Sequence, residues 1–246
     1  MRQFGLIGRT LRHSFSQAYF TQKFAALGLE NHHYELFELA DIAELPALLA
    51  AHPHLEGLNV TVPYKELVMP YLDELTPTAA RVGAVNVIQR RPDGRLIGHN
   101  TDYIGFRESL RRFYPLRGEE GRALVLGQGG AAKAIAVVLR DLDIPHQFAT
   151  RNPLGDALSY DDLTPQLLSQ IRLIINATPL GTFPNAEECP RLPYPALTPQ
   201  HYLYDVVYNP AETLFMRKGL AAGAQVKNGF EMLRLQAEAS WEIWND

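Results

Sequence analysis

Hydrophobic and polar positions along the chain alternate with two periods, and together they predict strands separated by helices. In the N-terminal part we predict strands over 4–7, 33–38 and 57–61, helices over 16–27, 42–51 and 65–71, and a hairpin over 84–89 and 96–100. The turn of that hairpin falls on Pro92-Asp93-Gly94, residues that favour tight turns. These segments predict one α/β domain.

The pattern of hydrophobic and polar positions is clearer in the C-terminal part of the chain. A helix through Phe106 and Leu110 leads to a charged stretch at 117–122, which we interpret as the end of a linker. The predicted elements that follow are strands over 123–126, 147–150, 173–176 and 202–208, and helices over 131–140 and 230–244. Strands that alternate with helices predict a parallel, doubly wound sheet.

The predicted fold class is therefore α/β with two domains. Residues 1–103, completed by 228–246, form an N-terminal substrate domain, and residues 104–227 form a Rossmann-like nucleotide domain. Residues Leu233, Ala237, Ser240 and Trp244 fall near one face of the last helix. We expect this helix to return to the first domain.

Composition narrows the class of function. The chain has 246 residues, of which 46% are hydrophobic, and a formal net charge of -4. Its cationic residues are scattered singly or in pairs, which predicts no nucleic-acid surface. An anionic small substrate is compatible with this charge pattern. The sequence does not distinguish a monomer from a homodimer.

Cys189 is the only cysteine, so the sequence allows no intrachain disulfide and no cysteine metal cluster. This fits a reducing cytoplasm. The apolar run at the N-terminus is too short for a signal segment or a membrane span, and we expect a cytoplasmic protein. The histidine pairs lack acidic or cysteine partners nearby, so we predict no bound metal.

A glycine-rich loop follows the strand predicted at 123–126 and opens an alanine-rich helix. In it, Gly127 suits a tight turn, Gly129 lets backbone approach a pyrophosphate, and Ala132 takes the third position of a G-x-G-x-x-A motif. The N-terminus of the following helix offers N–H groups to a phosphate. This placement predicts dinucleotide binding.

The residue at the end of the next strand usually determines the preference between NAD and NADP, because NAD enzymes usually carry an acidic residue there. This chain has Thr150-Arg151-Asn152 instead. A guanidinium suits a 2′-phosphate through charge-assisted hydrogen bonds. We predict NADP, although Arg151 alone could also be a solvated surface residue.

Two polar loops precede the nucleotide domain: 59–65, which ends at Lys65, and 100–102, which ends at Asp102. A carbonyl reduced by hydride needs a proton, and a lysine beside a carboxylate can donate it. Taken alone, Lys65 would be a solvated lysine and Asp102 a helix cap. Uncharged hydrogen-bonding residues crowd the same strand ends and suit a polyhydroxylated ligand: Asn59, Thr61, Asn86, Asn100 and Thr101.

Ser14-Phe15-Ser16 also has two interpretations. Ser16 suits the N-cap of the helix predicted from that residue, and both hydroxyls suit a carboxylate.

With these segments in order, the chain resembles shikimate dehydrogenases along nearly its whole length. The segments that carry the resemblance are Ser14–Ser16, Asn59–Lys65, Gly83–Asn86, Asn100–Asp102, Gly127–Ala131, Asn176–Gly181, Asp205–Pro210, Asn228–Leu233 and Gln236.

The resemblance implies NADPH-dependent reduction of 3-dehydroshikimate to shikimate, in chorismate and aromatic amino-acid biosynthesis. It implies that Lys65 and Asp102 form the catalytic pair and that Tyr208 and Gly229 lie near the nicotinamide and the edge of the substrate. The implied substrate-binding residues are Ser14, Ser16, Thr61, Asn86, Gln236 and Tyr208. The implied cofactor-binding residues are Gly127, Gln128, Gly129, Gly130, Ala131, Thr150, Arg151, Asn152, Thr178, Val206 and Gly229.

Some positions depart from the family pattern. Gln128 stands where alanine is frequent, Thr150–Asn152 is a scrambled form of Asn-Arg-Thr, and Gly155 replaces a frequent second basic residue. The run from Pro153 to Leu173 is short and could lack a helix. We therefore expect NADP selectivity with a weaker phosphate clamp.

Two other functions stay open at this point. One is a quinate/shikimate dehydrogenase that uses NAD, against which Arg151 argues. The other is a non-catalytic sensor of a nucleotide or hydroxy acid, which needs no Lys-Asp pair.

Overall fold

The structure is a computed structural model that describes residues 1–11, 14–115, 121–153 and 155–246. The chain divides into two compact units, one made of Met1–Thr101 and Ala237–Asp246, the other of Asp102–Gln236. The last ten residues thus return to the first unit, as expected. The boundaries placed at 103/104 and 227/228 stay a prediction beside this division. Most of the charged stretch at 117–122 lies outside the described residues.

The first unit is built on a mixed sheet. Its elements are β1 (Arg2–Gly8), α1 (Phe15–Ala26), β2 (His32–Glu38), α2 (Leu45–Ala51), β3 (Leu55–Val60), α3 (Tyr64–Leu67), β4 (Glu74–Leu75), α4 (Pro77–Val82), β5 (Val87–Arg90) and β6 (Leu96–His99). The strand order is β2-β1-β3-β5-β6-β4. Strands β1 to β3 are parallel, whereas β5 is antiparallel to both β3 and β6. The predicted hairpin is confirmed.

Each face of this sheet carries its own core. Side chains alternate along β1, so Phe4 and Leu6 pack in a cluster with Trp244, while Ile7 packs with Tyr64 in another. The Trp244 indole N–H also donates to the Ile88 carbonyl over 3.1 Å. The C-terminal residues are therefore an integral layer of the first unit.

The second unit is a parallel sheet with helices. Its elements are α5 (Thr101–Phe113), β7 (Arg122–Leu126), α6 (Gly130–Asp141), β8 (His146–Thr150), β9 (Leu158–Ser159), α7 (Pro165–Leu168), β10 (Ile171–Asn176), β11 (Tyr202–Asp205), α8 (Leu214–Ala221), β12 (Gln225–Lys227) and α9 (Phe230–Trp244). The first residue of α5, Thr101, and the part of α9 from Ala237 onward are assigned to the first unit. The strand order is β12-β11-β10-β7-β8-β9, with every pairing parallel. The predicted doubly wound sheet is confirmed.

A polar cluster ties α5 to the start of α9 within this unit. The Glu231 carboxylate accepts from Ser109 Oγ at 3.0 Å and from Arg112 Nη1 at 2.7 Å, and it pairs with Lys227 Nζ at 2.6 Å. Burial acts to raise the pKa of Glu231, but these donors outweigh it and lower the pKa to about 2. Ser109 is itself buried and accepts from the Tyr204 hydroxyl at 2.8 Å.

Some boundaries differ from the predicted ones. The strand predicted over 202–208 ends at Asp205, because the Val207 N–H donates to the Asp205 side chain at 3.0 Å instead of to a strand. Helix α1 begins at Phe15 with Ser14 as its N-cap residue, so Ser16 is not the cap. Between Pro153 and Leu173, the described residues form one α-helix, the four-residue α7. None of the described helices is both long and apolar enough to cross a bilayer.

Candidate functional site

The predicted substrate residues of the first unit follow the carboxyl ends of β1 and β3 and precede β5. Thr61 comes directly after β3, and its N–H donates to the Ile7 carbonyl at 2.9 Å. Ser14 and Ser16 lie at the start of α1 and are half-buried, as is Thr61. Half-buried residues with hydroxyl groups at the ends of strands and the start of a helix suit recognition of a small polar ligand.

Lys65 projects from the one-turn helix α3, and neighbouring groups fix that turn. The Tyr64 ring is buried and its hydroxyl donates to the Leu39 carbonyl at 2.5 Å. The Lys65 carbonyl accepts the Val85 N–H at 2.7 Å. The half-buried Lys65 side chain therefore starts from a rigid backbone position.

Asn86 holds the first residue of α5. Its Oδ1 accepts the Thr101 N–H at 2.7 Å, and its Nδ2 donates to Thr101 Oγ1 at 3.0 Å. The first N–H groups of a helix lack partners inside the helix, so Asn86 supplies a cap from another element. Asp102 is the next residue, 6% exposed, and Asn86 therefore fixes the backbone that presents its carboxylate.

Two predicted substrate residues and Asp102 belong to the second unit. Gln236 is 9% exposed, and its Nε2 donates to the Leu233 carbonyl at 2.9 Å. Tyr208 is half-buried after β11, and burial raises the pKa of its hydroxyl. Ser14, Ser16, Thr61, Lys65 and Asn86 belong to the first unit.

The glycine loop joins β7 to α6 in the geometry that its sequence favours. Gly127 has a φ of 101°, a left-handed value that suits glycine, and a Cβ there would lie 3.1 Å from Thr178 Cγ2. Gly129 is the N-cap residue of α6, and the space around its missing side chain is open. Gln128, Gly130 and Ala131 are beside it in the same loop and the first turn of α6. The loop leaves room for a ligand at the N-terminus of α6.

Buried polar side chains fix the next two loops at this sheet edge. Asn176 Oδ1 accepts from the Thr178 N–H at 3.1 Å and hydroxyl at 2.6 Å, and Asn176 Nδ2 donates to Asp205 Oδ1 at 2.9 Å. Asp205 Oδ2 accepts the Thr213 hydroxyl at 2.6 Å. Burial raises the pKa of Asp205 to about 6, although its three donors act to lower it.

The loop after β11 packs directly against the residue that precedes α9. The Gly229 N–H donates to the Val207 carbonyl at 3.0 Å, and a Cβ on Gly229 would lie 2.0 Å from the Val206 carbonyl oxygen. The Val206 N–H donates to the Asn176 carbonyl at 2.9 Å. The structure thus brings Gly127, Thr178, Val206 and Gly229 to one edge of the second unit, at the carboxyl ends of β7, β10 and β11.

The predicted 2′-phosphate residues lie beside this edge, at the end of β8. Thr150 is its last residue and is half-buried, while Arg151 and Asn152 are exposed. Arg151 acts electrostatically on Tyr160, whose pKa is raised by burial and lowered in part by this cation. Gly155 is exposed in a left-handed conformation. Arg151 is thus accessible to an anionic group.

The sequence interpretation gave no role to the residues that position these loops, although Asn176 and Asp205 stand in segments that carry the resemblance. Asn176, Asp205 and Thr213 are fully buried, and Tyr34 and Ser240 in the first unit bond to other buried polar groups. A polar residue that ends an apolar strand, as Asn176 and Asp205 do, was the available signal. Among the described residues, no group of three or more histidine, cysteine, aspartate or glutamate side chains could hold a metal ion.

In the second unit, the glycine loop follows the carboxyl end of β7, and β7 lies between β10 and β8 in the sheet. Doubly wound sheets bind their ligands at such a position. Fold and site together define an α/β enzyme that binds a dinucleotide and has another unit with polar residues at its strand ends.

A family model described as "Shikimate dehydrogenase substrate binding domain" matches residues 6–88. The shikimate dehydrogenase (NADP(+)) of Desulforamulus reducens is 36% identical over 98% of this chain and 88% of the relative. The chain belongs to the shikimate dehydrogenase family.

Solved structures agree with this membership. The shikimate 5-dehydrogenase from Thermus thermophilus, in complex with NADP(H) and shikimate, is 32% identical with a TM-score of 0.86 and covers 99% of this chain and 93% of its own. The quinate dehydrogenase from Corynebacterium glutamicum, in complex with NAD, is 27% identical with a TM-score of 0.87, over 99% of this chain and 93% of its own.

Proposed function

We propose that this enzyme catalyses the reversible, NADPH-dependent reduction of 3-dehydroshikimate to shikimate, in chorismate and aromatic amino-acid biosynthesis. The observation that carries the proposal is the match along 98% of the chain to relatives named shikimate dehydrogenase (NADP(+)). The two described units supply a polar ligand surface and a dinucleotide edge, as such an oxidoreductase requires.

The substrate carries a carboxylate and ring hydroxyls, and the proposed ligands match both groups. Ser14 and Ser16 bind the carboxylate with their hydroxyls. Thr61, Asn86 and Gln236 bind carboxylate or ring hydroxyls, and Tyr208 lies near the edge of the substrate. The half-buried positions of Ser14, Ser16 and Thr61 support these roles.

Lys65 and Asp102 carry the proton chemistry in this proposal. The bound nicotinamide supplies the hydride that reaches the ring carbonyl. Lys65 donates a proton to the oxygen on which negative charge develops, and Asp102 orients the ammonium and binds a hydroxyl. The rigid turn under Lys65 and the capped start of α5 support such roles, because proton transfer needs positioned groups.

The cofactor residues of the proposal are those at the sheet edge of the second unit. The open space at Gly129 and the N-terminus of α6 fit a pyrophosphate. Gln128, Gly130 and Ala131 line the same loop, and Thr178, Val206 and Gly229 hold the nicotinamide side. Arg151, with Thr150 and Asn152, binds the 2′-phosphate, which favours NADP over NAD.

A four-way assay tests the substrate and the cofactor together. Purified enzyme is offered shikimate or quinate with NADP or NAD, and absorbance of the reduced nicotinamide is followed. We expect turnover of shikimate with a strong preference for NADP. Turnover restricted to quinate or NAD would reassign the enzyme towards the quinate dehydrogenase that it resembles in fold. The absence of turnover with every pair would favour the sensor.

Lys65→Ala tests the proton donor. We expect kcat to fall far more than shikimate binding weakens, because the ammonium acts chiefly on charge that develops in the transition state. Lys65→Met is the matched variant, since it keeps an apolar stem of similar length without the charge. An unchanged kcat in both variants would remove Lys65 from the chemistry.

The remaining assignments are the cellular location and the assembly. A cytoplasmic location follows from the single cysteine and stays a prediction. Sedimentation of the purified enzyme separates the monomer from the homodimer.

A further inference from the structure

A chain of buried polar side chains crosses the first unit. It runs from Tyr34 through Asn59, Ser240 and Thr101 to Asn86, with a hydrogen bond between each pair of neighbours. All five residues belong to the first unit. One end of the chain, Asn86, is a residue to which the proposed function assigns substrate binding.

The first half of the chain has a defined donor direction. The Tyr34 hydroxyl donates to Asn59 Oδ1 at 2.7 Å. Burial raises the pKa of Tyr34, so this hydroxyl keeps its hydrogen. Because Asn59 Oδ1 is an acceptor only, the Tyr34 hydroxyl must be the donor there.

Ser240 links this half to the second. Asn59 Nδ2 can only donate, so Ser240 Oγ accepts from it at 3.1 Å. The hydrogen of Ser240 is then directed elsewhere, and Thr101 Oγ1 lies 3.3 Å away. Ser240 is fully buried on the last helix, 139 residues away from Thr101 in sequence. No other residue of the five comes from the last helix.

Thr101 in turn hydrogen-bonds to Asn86. Its backbone and hydroxyl both engage the Asn86 amide, and both residues are at most 3% exposed. Asn59 Nδ2 also reaches the Asn86 carbonyl at 3.5 Å. Asn59 is itself 5% exposed, and its side chain bonds to both Tyr34 and Ser240, so it joins the two halves of the network.

We propose that Ser240 is a positioning residue for substrate binding, whose buried hydroxyl holds Asn59 and Thr101 together and thereby fixes Asn86. This inference rests on the proposed function. A buried network in which every polar group has a hydrogen-bond partner holds its side chains in fixed orientations. The loss of one hydroxyl leaves neighbouring polar groups without partners.

The test is steady-state kinetics of Ser240→Ala with shikimate and NADP. We expect the KM for shikimate to rise about tenfold, the size of one lost buried hydrogen bond, with the KM for NADP unchanged. Ser109→Ala is the matched control, because Ser109 is an equally buried serine whose partners are Tyr204 and Glu231 in the second unit. It should lower the melting temperature comparably without changing the KM for shikimate.

Tyr34→Phe is the second variant, and it keeps the inference testable if Ser240→Ala does not fold. It removes only the hydroxyl that donates to Asn59 Oδ1, and it should also raise the KM for shikimate selectively. In the double variant the two effects should combine to less than their product, because both break the same chain.

The outcomes separate the two levels of inference. An active wild-type enzyme whose variants keep the KM for shikimate close to the wild-type value, while the melting temperature falls, would overturn the role of Ser240 alone. A wild-type enzyme with no turnover of shikimate would overturn the proposed function, and the role of Ser240 with it.

Discussion

Asp205 offers the sharpest test of what fixes the sheet edge to which we assign the cofactor in the second unit. Its carboxylate is fully buried and accepts from Asn176, Thr213 and the Val207 N–H. Asp205→Asn keeps the shape and removes the charge. An amide nitrogen in the place of Oδ2 would face the Thr213 hydroxyl, which can rotate from donor to acceptor. Asp205→Ala instead leaves three donors without an acceptor.

The pKa of Asp205 sets the size and the sign of the effect. Burial raises this pKa to about 6 from its ordinary value of 3.8. A folded-state pKa above the unfolded one means that the contribution to stability is present below pH 3.8 and is lost as pH rises through 6. At about 1.36 kcal/mol per pH unit the loss totals about 3 kcal/mol, of which about 2 kcal/mol falls between about pH 4.5 and 7.5.

Denaturant unfolding at several pH values measures this effect. The free energy of unfolding of Asp205→Asn, minus that of the wild type, should increase by about 2 kcal/mol from about pH 4.5 to 7.5. Asp205→Ala should be destabilised by about 3 kcal/mol or more at low pH, because buried donors lose their partner. A difference between Asp205→Asn and the wild type that stays flat over this range would show that burial does not raise the pKa and would refute the reasoning.

Three further predictions concern the second unit. Gly229→Ala should strongly impair cofactor use, measured as kcat/KM for NADP, because its Cβ would meet the Val206 carbonyl at 2.0 Å; an unchanged kcat/KM would contradict this. Glu231→Gln should lower the free energy of unfolding by about 1–2 kcal/mol at about pH 7, and this loss should shrink as pH falls from 4.5 towards the folded pKa of about 2; a loss constant over that range would contradict it. Arg151→Ala should raise the KM for NADP about tenfold and leave that for NAD unchanged; equal changes would remove it from the 2′-phosphate site.

The strongly periodic segments were predictable because local pattern and tertiary context agree in them. The helix predicted over 230–244 is α9 without change, and the apolar run at 123–126 is within β7, whose alternate residues enter different cores. Short elements such as β4, β9 and α7 escaped prediction, since two to four residues carry too little periodicity to indicate a structure.

The sequence alone determined the class of fold, the glycine loop and the residue types at the strand ends, because these depend on local periodicity and on motifs of fixed spacing. Only the tertiary structure decided which polar residues stay partly accessible and which are buried against one another. Asn59 and Thr61 look alike in sequence, yet Asn59 is buried among Tyr34 and Ser240 whereas Thr61 stays half-exposed. The partner of a buried polar group can lie 181 residues away, as Ser240 does from Asn59, and no local pattern specifies it.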